Sequence, residues 1–188
     1  MITRIERDIF FVAGVHFDDR YHINSYELVL SMLVETDVPK EQVIALDRLD
    51  FLIKNIMTNS VFINEEKTEL IEKYREAGIA VSTLPGEPYD QIVGMVLLLK
   101  LNAIMEDRIK ITDITINSLL GDGMRYPIVA ESAENADIML GNNWWHSNDT
   151  EITNDGISVE PKNNVVKLFD DNVWSELNLS WKDKAKTT

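Results

Sequence analysis

The 188 residues include no cysteine. That excludes a disulfide scaffold, cysteine-based zinc sites, iron–sulfur ligation and thiol catalysis, and it is compatible with a reducing compartment. Long hydrophobic runs are also missing. The longest lies within residues 92–99, far short of the roughly 20 residues needed to span a bilayer. Arg4, Glu6, Arg7 and Asp8 interrupt any apolar stretch at the start, so no secretory signal is expected. These absences predict a chain that is not inserted in a membrane and that works in the cytoplasm. Positive charge is scarce as well: 18 Lys and Arg face 32 Asp and Glu, a net charge of −14. A field of that sign repels phosphate backbones and anionic lipids. Direct nucleic-acid binding is therefore disfavoured, and the favoured partners are a second copy of the chain or a basic protein.

Catalytic signatures are absent too. There is no G-x-S-x-G elbow. Gly121-Asp122-Gly123 lacks the downstream glycine, lysine and helix that would make it a phosphate-binding loop. Three histidines and no cysteine restrict nucleophile–base pairs to Ser or Thr with His, and no local pattern supports one. This points away from an enzyme and implies no obligatory cofactor.

What is present is an ordinary core composition, 45% hydrophobic, enough for one compact domain. Ile9–Phe17 (IFFVAGVHF) predicts a buried strand. Asp18-Asp19-Arg20 ends it, and Asn24 or Ser25 is expected to cap a helix carrying Tyr26, Leu28, Val29, Met32 and Leu33. Pro39 suits the first turn of the next helix, whose Val43, Leu46, Leu49, Ile53 and Ile56 recur at spacings of three and four. Val61-Phe62-Ile63 predicts a strand, Asn64 an N-cap, Gly78 a left-handed helix stop and 79–84 a second strand, together a small βαβ-like unit. From Tyr89 to Asp107 the sequence is apolar nearly all round, as in a central helix. In Ile109, Ile111, Ile114 and Ile116 the period of two slips by one residue, which a β-bulge at Thr112-Asp113 would restore. Met124–Val129 is expected to return after the Gly121-Asp122-Gly123 turn as an edge strand containing Pro127.

The predicted fold class is α+β: a mixed β-sheet packed by amphipathic helices and one central apolar helix, with the βαβ-like unit and an irregular Trp/Asn-rich C-terminal region. Two regions follow, residues 1–130 as the globular core and 131–188 as an acidic arm packed on that core or on a partner. The arm lacks long helical periodicity and holds all four tryptophans, Trp144, Trp145, Trp174 and Trp181.

Two clusters are candidate sites. His16-Phe17-Asp18-Asp19-Arg20-Tyr21-His22 sets two histidines beside two carboxylates. His16, Asp18 and His22 are candidate ligands for a divalent metal that would activate water for hydrolysis, with Arg20 holding an anionic substrate. The plainer reading makes His16 a core residue and the two aspartates turn formers. Gly141-Asn142-Asn143-Trp144-Trp145-His146 is a candidate loop presenting Trp144, Trp145 and His146 to a ligand or partner, against the plainer reading in which the rings plug the core.

Three function classes remain. The first is a protein–protein interaction or assembly protein, oligomeric, in the style of a phage or bacterial accessory or virion-assembly subunit. The second is a small metal-dependent hydrolase built on His16, Asp18 and His22. The third is an acidic regulator or nucleic-acid mimic that blocks a basic surface. The first accounts best for the Trp-rich tail, the charge and the missing catalytic motifs.

Overall fold

The computed structural model describes residues 3–140 and 143–149, with the backbone alone for 136–140. It is an α+β fold whose six strands lie in the order β4-β3-β1-β2-β5-β6. A hairpin of two 15-residue strands, β1 (Thr3–Phe17) and β2 (Arg20–Val34), forms its middle. The turn between them is Asp18-Asp19, both at left-handed φ of 50° and 55°. A two-residue turn of that hand matches the natural twist of paired strands, and Asp is among the residues that tolerate it.

The helix expected over 25–33 is therefore a strand. In β2 the residues Asn24, Tyr26, Leu28, Leu30 and Met32 are buried, and their neighbours are exposed or half-buried. This period of two is the strand signature, and it is paired at every position with β1 from Thr3↔Val34 to Phe17↔Arg20. Ladder pairing overrides the modest helix propensity of the Glu/Leu-rich segment.

After β2, helix α1 (Pro39–Phe51) starts with its proline in the first turn and runs into a π-helical turn, Leu52–Ile56. The buried stripe is Ala45, Arg48, Leu49, Leu52 and Ile53, and Val43, expected inside, is exposed. Strand β3 (Ser60–Asn64), helix α2 (Thr68–Glu76) and strand β4 (Ala80–Leu84) follow, with β3 and β4 parallel. The helix cap is Lys67 rather than Asn64. The Asn64 Oδ1 instead accepts from the Glu66 amide at 3.0 Å in the preceding turn, and Gly78 takes the expected positive φ of 75°. Helix α3 (Asp90–Met105) is buried along most of its length. Strand β5 (Ile109–Ser118) pairs with β2, with the register shifting so that Ser31 faces Asp113 and Met32 faces Ile111. Thr112 is the extra residue of a bulge, which lets Ile109, Ile111, Ile114 and Ile116 all be buried. Strand β6 (Tyr126–Val129) lies at the sheet edge with Pro127.

The two faces of the sheet are covered differently. Helix α3 packs against β4, β5 and β6 on the inner face and also touches α1. The inner residues Ile9, Phe11, Tyr26, Leu28, Phe62, Ile114 and Ile116 share one core with it. Helix α2 covers the opposite face over β3 and β4, through Ile63, Ile71 and Val81, and its Tyr74 reaches the hairpin end at His16 and Tyr21. Gly94 in α3 is where helix and sheet approach closest. A Cβ there would lie 2.6 Å from the Ile128 Cδ1 and 2.7 Å from the Ile116 Cγ2.

Over residues 131–140 the expected irregular chain is instead helix α4, Ala130–Leu140. Residues 143–149 then lie against α3 through a short helical turn, Trp144–His146. The remainder of the arm, with Trp174 and Trp181, lies outside the described residues.

Candidate functional site

The hairpin register separates the proposed metal ligands. His16 pairs with Tyr21 and Val15 with His22, and directly opposed residues share a face while neighbours alternate. His22 therefore lies on the Val15 face, and His16 lies on the other, beside Tyr74 of α2 at a ring separation of 6.3 Å. Asp18 sits in the turn between them. Among the described residues no group of three or more His, Asp or Glu side chains is placed to hold a metal. His16 is buried, and burial first and the nearby Lys67 charge second hold its pKa below the ordinary 6.5. Lys67 bridges Asp19 at 3.4 Å and Glu87 at 3.2 Å, which ties the hairpin tip to the loop before α3. Arg20 is exposed at the start of β2.

The tryptophan pair is likewise turned inward. Trp144 and Trp145 are buried, packed edge to face at 5.9 Å, and so present no ring surface in this arrangement. The Trp144 Nε1 donates to the Thr83 carbonyl at 2.8 Å. Lys100 of α3, fully buried, donates to the carbonyls of Trp144 at 3.0 Å and Ser147 at 2.7 Å, and to that of Asp149. An ammonium has three protons and meets three acceptors here, so its donor capacity is filled. His146 is half-buried beside Trp145. The aromatic and amine residues fasten this segment to the core.

A second buried polar group joins α3 to β5. The Asp90 Oδ1 accepts from the Ser118 hydroxyl at 2.8 Å. Burial raises its carboxyl pKa, with the Ser118 bond opposing. Gly121 is required beside it, since a Cβ there would lie 2.3 Å from the Asp90 Oδ2. Tyr26 lies in the same region, its hydroxyl pKa raised first by burial, with the nearby Asn24 side chain opposing. The Ser118 hydroxyl and the Asp90 carboxylate join the start of one helix to the end of one strand.

The surface that remains is the outer face of β1, β2 and β5. Phe10 is 71% exposed, Val12 45% and Ile23 67%. Phe10 pairs with Glu27, Val12 with Ser25 and Gly14 with Ile23, so Val12 lies between Phe10 and Ile23 on one face. Leu119, exposed in the loop after β5, borders it. Between this loop and the strands is a groove of about 530 Å³ lined by Phe10, Val12, Glu27, Asn117 and Leu119. None of these residues stood out in the sequence. Their signal was the alternation of apolar side chains within IFFVAGV, which a single buried strand absorbs without revealing that Phe10 and Val12 point outward.

No protein-family model matches the chain, and no curated protein matches it. Among solved structures the chain is similar to an uncharacterized protein from Wolinella succinogenes, with a TM-score of 0.49 and 10% identity over 69% of this chain and 99% of that one. It is also similar to a catalytic-residue mutant of 6-pyruvoyltetrahydropterin synthase from Plasmodium vivax, with a TM-score of 0.42 and 8% identity over 68% of this chain and 97% of that one. Neither likeness assigns chemistry to this chain.

Proposed function

We propose that the chain is a protein–protein interaction or assembly protein that works as an oligomer. The observation that supports this reading is the outer sheet face. Its apolar side chains Phe10, Val12 and Ile23 are exposed together beside a groove, and contiguous exposed apolar surface rimmed by polar groups marks interaction sites. The rim here includes Glu27 and Asn117. The net charge of −14 adds that a hetero-partner, if one binds, carries a basic surface, since complementary charge speeds encounter and rejects wrong partners. The hydrolase reading loses its support where His16 and His22 part to opposite faces.

The test is light scattering across a concentration series, on the wild type and on Phe10→Asp/Ile23→Asp. A concentration-dependent oligomer that the double variant shifts toward monomer supports the reading. A wild type that stays monomeric at every concentration, and whose groove captures no basic protein, ends it.

A further inference from the structure

Strand β1 has one flank that is largely without a strand partner among the described residues. On one side it pairs with β2 along its whole length. On the other it meets β3 only at Gly14↔Val61 and Val15↔Phe62. Along residues 3–13 of that second flank no strand pairs with β1 and no turn, loop or cap backbone bond reaches it among the described residues, while Met57–Asn59 packs against β1 and the Arg7 side chain reaches Asp50 of α1. A long flank of open N–H and C=O groups is a template for another strand, which natural proteins blunt with charges, with proline, with a short edge or with a covering element. This one contains no proline, and its charges alternate: Thr3-Arg4-Ile5-Glu6-Arg7-Asp8.

Resting on the assembly reading, we propose that the partner is a second copy of this chain, whose β1 pairs antiparallel with β1 about a two-fold axis at Ile5. In that register Arg4 faces the partner's Glu6 and Glu6 faces the partner's Arg4 on the outer face. Ile5 faces its own copy on the inner face. Moving the axis one residue along, to Glu6, opposes two glutamates, and moving it to Arg7 opposes Glu6 to Asp8. Like charges directly opposed across a pair of strands are destabilising. The register centred on Ile5 alone among these three satisfies both signs. Two sheets joined in this way form one continuous sheet with a common outer face, so the exposed Phe10 of each copy lies on the same side of the dimer.

The chain has no cysteine, so single cysteines report the register directly. In the proposed pairing the Cβ atoms of Ile5 and its copy lie about 5 Å apart, within disulfide reach. Asp8 and its copy lie about 20 Å apart, six residues along the strand, and out of reach. Ile5→Cys is expected to form a covalent dimer under mild oxidation, and Asp8→Cys is not. Arg4→Glu is expected to weaken the dimer roughly tenfold, and Arg4→Glu/Glu6→Arg to restore it. Both charge changes lie on exposed positions, so the folded chain tolerates them. An oligomer that persists in Arg4→Glu, with no cross-link through Ile5→Cys, overturns this inference and leaves the assembly reading standing through another surface. A chain that is monomeric throughout overturns both.

Discussion

Replacing Lys100 by methionine tests the tie between α3 and the chain that follows α4. The buried ammonium donates to the carbonyls of Trp144, Ser147 and Asp149. Hydrogen bonds from a charged donor are each worth about 1.5–3 kcal/mol, and a carbonyl left without a donor costs a similar amount. Against this stands the cost of keeping a charge out of water, visible in the Lys100 pKa, which burial pushes down from 10.5 to about 8, with the Asp149 charge opposing. Removing one member of such a buried set costs about 3 kcal/mol net. For a chain of this size that lowers Tm by roughly 6–12 °C. Thermal unfolding followed by circular dichroism measures it. A second readout uses Trp174→Phe/Trp181→Phe, which leaves Trp144 and Trp145 as the tryptophans present. In that background Lys100→Met is expected to shift emission to the red as the rings meet water. The pH dependence has a definite sign. The folded pKa lies below the unfolded one, so the unfolded chain binds more protons between about pH 8 and 10.5, and stability rises with pH across that window. Lys100→Met removes that component of the rise. An unchanged or higher Tm, with no change in emission, would refute the reasoning, because the dehydration of the charge would then outweigh its three bonds.

Three further outcomes are expected. Gly94→Ala should destabilise by about 1–3 kcal/mol through overpacking despite the helix propensity it gains, and Ile128→Ala in the same chain should recover most of the loss; chemical denaturation of the single and double variants measures the coupling. Asp90→Asn should keep the contact with Ser118 but alter the pH dependence. The folded pKa of Asp90 is raised, so the stability it contributes is present below its ordinary pKa and lost as pH rises through the folded value. The stability difference between Asn variant and wild type should therefore move in favour of the variant from pH 3 to pH 7, and a constant difference would count against the raised pKa. Trp145→Ala should cost about 3–5 kcal/mol as a core truncation, measured by urea unfolding, whereas a loss below about 0.5 kcal/mol would show that the ring is solvated in solution.

Several elements were legible from local rules alone. The β3-α2-β4 unit, the proline start of α1, the glycine stop at Gly78, the extent of α3, the bulge at Thr112 and the edge position of Pro127 each follow from spacing or from backbone chemistry within a few residues. The α+β class follows from them, and the acidic charge and the lack of cysteine come from composition. Tertiary structure decided the rest. Whether residues 25–33 coil or extend depended on β1 lying alongside to complete a ladder, a contact that local propensity does not encode. Whether His16 and His22 meet depended on the two-residue turn Asp18-Asp19, because shifting a hairpin register by one residue moves every side chain to the other face. Whether Trp144 and Trp145 face solvent or core depended on Lys100, more than forty residues earlier in the chain. The outer apolar face had no signature in sequence, because an apolar residue on a strand reads the same whether the face above it is covered by a helix, as Ile63 is by α2, or left open, as Phe10 is.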